Sequence, residues 1–142
     1  MNDLNTAKNL LRRNNRSLVI VKNGRVLFET STHGIRGLLM AVDKVGKNME
    51  NSAVADRIVG EAVAQLCVYS RVHEVYAVTL SQCGRNVLEK NGIRCEFEDL
   101  VPHILNMRKT DLCPFEKIVA GSSSPKEALK RLKKATTNTS GQ

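Results

Sequence analysis

Four short stretches hold the residues whose types and spacing could do chemistry. In "TLSQCGRN" (79–86), Cys83 follows an apolar run and opens a helical pattern. A thiol at the positive end of a helix dipole is the setting of a metal ligand or a reactive cysteine. In "DLCPFEKIV", Cys113 precedes Pro114, which suits a first helical position; Glu116 falls in that turn and Arg108 and Lys109 lie just upstream. Cys113, Cys83 and Glu116 are therefore the candidates for nucleophilic or acid–base work. "STHGIRG" brings Gly34 and Gly37 to a helix start beside His33 and Arg36, a pattern that suits a phosphate or carboxylate. Asp56 is the one acid in "AVADRIVG". Each has a plainer role as well: a small core thiol, a tight strand-to-helix turn, an acid favoured by a helix dipole.

The elements that must position these residues follow from periodicity. A first helix is predicted from Asp3 to Asn14, with Leu4, Ala7, Leu10 and Leu11 on one face. "SLVIVK" and "RVLFET" flank Asn23-Gly24, a dipeptide that accepts the positive φ angles of a two-residue hairpin turn. Residues 35–45 read as a helix ended by Gly46. The apolar stretch from Ala53 to Ser70 reads as one long core helix, with Ala55, Ile58, Val59, Ala62, Val63 and Leu66 as its stripe and Asp56 in its first turn. "EVYAVTL" is a buried strand, "SQCGRNVLEKNG" a helix closed by Gly92, and "IRCEFEDL" a strand exposing Arg94, Glu96 and Glu98. Pro102 to Leu105 reads as a short helical turn and "CPFEKIVAG" as a proline-opened helix. "SSPKEALKRLKKA" carries a capping box at Ser124 and Glu127 and a lysine-rich outer face. Residues 1–135 thus form a single domain and residues 136–142 a disordered tail.

At 142 residues and 42% hydrophobic content the chain suits one compact core. No apolar run approaches a membrane span, and "MNDLNTAKNLLRRNN" is too polar for a signal peptide, so the expected compartment is the cytoplasm. Four widely spaced cysteines without a CxxC pair point to neither a disulfide framework nor a zinc ribbon. The net charge of +8 is uneven: the first 36 residues and the last 39 each contribute +5, and the middle −2. A basic surface favours anionic partners. Only five aromatics occur, none interleaved with the basic clusters, which argues against a specific nucleic-acid interface without eliminating one.

The order of these elements resembles the cytidine deaminase fold. "TLSQCGRN" followed by "NGI" is similar to the deaminase stretch in which a strand ending in Thr-Leu runs into Pro-Cys-x-x-Cys. More narrowly, "NRSLVIVKNGRVLFETSTHGIRGLL", "ADRIVGEAVA" and "CPFE" resemble a microbial domain family of unknown function that has this fold and lacks the zinc deaminase motifs. The resemblance implies an α/β protein, a three-layer α/β/α sandwich with a mixed sheet that starts from an antiparallel hairpin. It also says which residues zinc chemistry would need: H-x-E at one helix start and P-C-x-x-C at another, converging on one metal. Here Cys83 matches the first cysteine, but Asn86 and Gln82 stand at the second cysteine and the proline. On the long helix, Asp56 at the histidine position puts Ile58 at the glutamate position, and Asp56 at the glutamate position puts Val54 at the ligand position.

The expectation is therefore a deaminase-like domain without zinc, other metal or cofactor. It would bind a small anionic or nucleotide-like ligand through Gly34, Arg36, Gly37, Asp56 and Cys83. The alternatives are a metal-free enzyme with Cys113 or Cys83 as nucleophile, and a nucleic-acid or protein adaptor working through the basic termini. The exposed edge of the hairpin is compatible with a homo-oligomer.

Overall fold

The computed structural model describes residues 2–139, with side chains to residue 137. Helix α1 (Asp3–Arg13) starts on Asn2, whose side chain accepts the Asn5 N–H at 2.8 Å, and ends with Arg12 and Arg13 in its last turn. Strands β1 (Leu18–Lys22) and β2 (Arg25–Thr30) form the expected hairpin, with Asn23 and Gly24 at φ 53° and 78°. The Asp3 carboxylate accepts the N–H groups of both turn residues at 2.8 and 2.9 Å, so the start of α1 and the hairpin tip fix each other. Helix α2 (Ile35–Val45) follows and passes through a 3-10 turn, Gly46–Met49, into the sheet.

The stretch read as one long helix is a strand and a helix. Strand β3 (Ala53–Val59) lies at the centre of the sheet, and Gly60 separates it from helix α3 (Glu61–Tyr69). A central strand is buried on both faces, so its residues lack the polar alternation that marks a half-buried strand, and the same apolar positions fit a helical stripe equally well. Asp56 therefore stands in mid-strand and not in a helix's first turn. Strand β4 (Glu74–Ser81), helix α4 (Gln82–Lys90) and strand β5 (Arg94–Val101) follow as expected. Residues 102–105 form no helix; they open a loop closed by a bridge between Leu105 and Leu112, with the Asn106 side chain bonding both the Thr110 N–H and its hydroxyl. Helix α5 (Pro114–Val119) and helix α6 (Pro125–Thr139) complete the chain. Helix α6 runs into the segment expected to be disordered; residues 140–142 of that segment lie outside the described residues.

The sheet order is β2-β1-β3-β4-β5, antiparallel across β2-β1-β3 and parallel across β3-β4-β5. One face is covered by α1, whose Leu4, Ala7 and Leu11 pack on Val19, Val21, Ala55 and Tyr76. Beyond that patch the Tyr76 hydroxyl, which donates to Glu98, also accepts from Arg12 at 3.0 Å, and Lys8 pairs with Glu96, pinning the helix to the β5 end of the sheet. The opposite face carries the larger core, in which α2, α3 and α4 meet Leu18, Ile20, Val54, Val75 and Ala77, and α5 and α6 close over α3 through Val119, Ala128 and Leu132. This is the expected α/β/α sandwich, with a single helix as its thinner layer. Among the described residues no helix is long and apolar enough to cross a membrane.

Candidate functional site

The parallel strands end at Val59, Ser81 and Val101, and α3 and α4 begin at this carboxyl edge. Ser81 caps α4, its hydroxyl accepting the Gly84 N–H at 3.0 Å. Cys83 is exposed in the first turn. Gln82 and Asn86, which flank it, are hydrogen-bonded to each other at 3.3 Å. Gly84 faces the start of α3 so closely that a Cβ there would sit 3.0 Å from the carbonyl carbon and oxygen of Gly60 and 3.1 Å from the Val59 oxygen. The two helix starts thus meet backbone to backbone, with no side chain between them at this point.

What caps α3 comes from far along the chain. The two carboxylate oxygens of Glu116 accept the N–H groups of Glu61 and Ala62, both at 2.8 Å. This satisfies two of the orphan donors of a helix start with a single charged group, the stronger kind of hydrogen bond. Gly60 makes room for it: a Cβ there would overlap the Glu116 carboxylate and lie 2.8 Å from Ile104 Cγ1. Cys113 is the N-cap residue of α5 and its N–H bonds the Ile104 carbonyl at 2.9 Å, so the loop before α5 is hung from the same point. Desolvation raises the Glu61 carboxyl above its ordinary range, with the nearby Glu116 charge adding to it and a Gln65 hydrogen bond opposing it.

Asp56, three residues before the end of β3, lies between Leu18 of β1 and Ala77 of β4. Although partly accessible, its carboxyl is pushed up to about 7 by desolvation, against the opposing effect of the N–H groups of Ile58 and Arg57 and the Arg57 charge. Its own burial pushes the Cys67 thiol up, and the Asp56 charge adds to that. The Gly34 loop comes next along the rim: Gly34, with φ 77°, precedes α2, and Gly37 packs against Thr30, Thr32 and Leu18. The predicted residues Gly34, Arg36, Gly37, Asp56 and Cys83 therefore spread along one edge. Two cavities lie at the other edge, and none of the five lines either of them.

The zinc site that the deaminase resemblance implies does not fit these residues. Among the described residues no three His, Cys, Asp or Glu side chains are grouped to hold a metal ion. With α3 beginning at Glu61, a frame that puts Glu61 at the third place of H-x-E puts Val59 at the first. Sequence reasoning missed Glu61 as a helix-start residue because the helix was begun too early. It identified Glu116 but not its contact, since 55 residues separate the two partners. Gly60, a breaker inside an apolar run, was the signal that could have found both.

Comparison with known proteins agrees with this geometry. A DUF1893 family protein from Thermotoga maritima superposes with a TM-score of 0.84 at 24% identity, over 94% of this chain and 89% of that one. Acinetobacter baumannii RibD matches with a TM-score of 0.51 at 17% identity, over 68% of this chain but only 34% of RibD. A dCMP deaminase from the cyanophage S-TIM5 matches at 0.49 and 17%, over 67% of this chain and 93% of that one. These neighbours have the deaminase-like fold. No match was found among curated proteins. The model of the family described as Domain of unknown function (DUF1893) matches residues 6–135, and the chain belongs to that family.

Proposed function

We propose that this domain works without zinc chemistry, as a binding or regulatory module for a small anionic, nucleotide-like ligand at the carboxyl edge of the parallel strands. The observation that supports its working without zinc chemistry is the Glu116 cradle. The α3 start already holds an anion through two N–H groups at 2.8 Å, at a point where the resemblance would have a metal and where the donor set for one is lacking. The neighbouring rim offers Gly34 and Gly37 backbone, Arg36 and the Asp56 carboxyl, raised by burial, for a ligand's anionic and hydrogen-bonding groups. Calorimetric titration of purified protein with nucleoside monophosphates, before and after Arg36→Ala and Asp56→Ala, tests this reading. Saturable binding weakened about tenfold by either variant supports it. Stoichiometric zinc in purified protein, or release of ammonia from a cytosine or adenine nucleotide, overturns it.

One observation favours a second reading. Cys83 is exposed in the first turn of α4, and a thiol so placed can act as a nucleophile. Selective alkylation of Cys83 or Cys113 near neutral pH, much faster than that of Cys95, is the result expected of a thiol enzyme; uniformly slow alkylation rules it out.

A further inference from the structure

The amino edge of the sheet, opposite the Glu116 cradle, holds a second candidate site. A groove of about 480 Å³ opens between the end of α2, the end of α3 and α6. Its volume lies within the range of small-molecule sites. Tyr69, one of only two tyrosines in the chain, is 42% exposed there, with Lys47, Arg71, Lys133, Glu50 and Ser70 around it. Lys133 neutralises Asp43 at 2.9 Å. Among the described residues Lys47 and Arg71 have no side-chain hydrogen bond or ion pair.

Arg71 is the informative residue. Helix α3 ends in a double closure, the Arg71 N–H bonding the Val68 carbonyl and the Val72 N–H the Cys67 carbonyl, both at 3.1 Å. In this arrangement the residue after the cap takes a left-handed conformation and is ordinarily glycine. Here it is an arginine at φ 58°. Asn51, whose N–H bonds the Arg71 carbonyl at 2.9 Å, is also left-handed, at φ 66°. Arg71 lines both this groove and its neighbour beside His73 and Asn91. A backbone position that favours glycine thus carries a long cation whose side chain makes no hydrogen bond or ion pair within the described protein, the pattern of strain retained at a binding site.

We propose that the groove binds a phosphorylated, ring-bearing molecule of mononucleotide size. Tyr69 takes the ring by stacking, Arg71 and Lys47 hold the phosphate, and Ser70 and Glu50 hydrogen-bond hydroxyl groups between them. This site is separate from the carboxyl-edge site above and stands without it.

The test is calorimetric titration of the full chain with AMP, CMP, GMP and UMP, with the corresponding nucleosides and inorganic phosphate as controls. It is run on the wild type, on Tyr69→Ala and Arg71→Gly, on Arg25→Ala as a surface control, and on Arg36→Ala, which reports on the carboxyl edge. At least one monophosphate binds the wild type more tightly than its nucleoside. Tyr69→Ala and Arg71→Gly each weaken it about tenfold or more, and Arg25→Ala leaves it unchanged. Arg71→Gly also raises the melting temperature of the ligand-free protein by about 3 °C, because glycine removes the left-handed strain; this shows that the lost binding is not lost folding. Absence of binding by all four monophosphates overturns the proposal. So does binding that Arg71→Gly and Tyr69→Ala leave intact; if Arg36→Ala abolishes that binding, it belongs to the carboxyl edge. A fall in melting temperature on Arg71→Gly removes the strain argument and the proposal with it.

Discussion

The two edges of the parallel strands are built on opposite plans. At the carboxyl edge, where the resemblance would have a metal centre, two glycines let α3 and α4 meet backbone to backbone and Glu116 caps the α3 start. At the amino edge, two non-glycine residues take left-handed conformations, and two cavities open around an exposed tyrosine and an arginine. At the carboxyl edge Gly60 and Gly84 serve where space is short; at the amino edge Gly46 and Gly92 take left-handed conformations, and Asn51 and Arg71 take them without being glycine. At the carboxyl edge the two helix starts close on each other with their own groups, and the cavities lie at the other edge.

Gly60→Ala should break the contrast most strongly. Its Cβ displaces the Glu116 carboxylate and crowds Ile104, which is expected to cost about 3 kcal/mol from overpacking and two lost charge-assisted bonds; denaturant unfolding measures it, and a loss below a third of that would mean the cradle is slack. Glu116→Ala removes the anion without the clash and should cost about 2 kcal/mol by the same measurement. Asp56→Asn should act in the opposite sense, and with pH. A carboxyl raised to about 7 in the folded protein penalises the fold as pH climbs from near 4, where the unfolded chain begins to ionise, through 7. The variant should therefore match wild type near pH 4 and exceed it above pH 7 by on the order of 2 kcal/mol, discounted for partial exposure. A pH-independent difference would show that Asp56 titrates normally. The smallest effect is expected at the amino edge, where Asn51→Gly should change stability by about half a kcal/mol or less, since asparagine tolerates the left-handed region better than most residues.

How far the sequence revealed this molecule depended on the range of each determinant. The hairpin was legible because Asn23-Gly24 encodes its own turn, and α1 because Leu4, Ala7 and Leu11 repeat at helical spacing. The start of α4 was legible because Ser81 supplies a cap directly after a strand. The boundary between β3 and α3 was not, because a strand buried on both faces and a helix buried against the sheet share one apolar alphabet. That single misreading moved Asp56 from a strand to a helix start and hid Glu61. At the candidate site, Cys83 and Glu116 could be picked out by type and local position, and the Glu116 contact could not, since nothing local to residue 116 names its partner. Arg71 escaped notice because a left-handed arginine looks like any other arginine in sequence.

The Glu116 cradle also has a consequence for the order of folding. Its partners lie 55 residues apart, and the intervening chain supplies β4, α4 and β5. Local elements such as the hairpin form early, while a contact of this separation waits on loop closure. During synthesis from the amino terminus, the α3 start therefore stays uncapped until α5 has left the ribosome. A nascent chain ending at Val101 carries every strand of the sheet and still leaves the Glu61 and Ala62 N–H groups to water, so completion of the sheet and closure of its chemical edge are separate events.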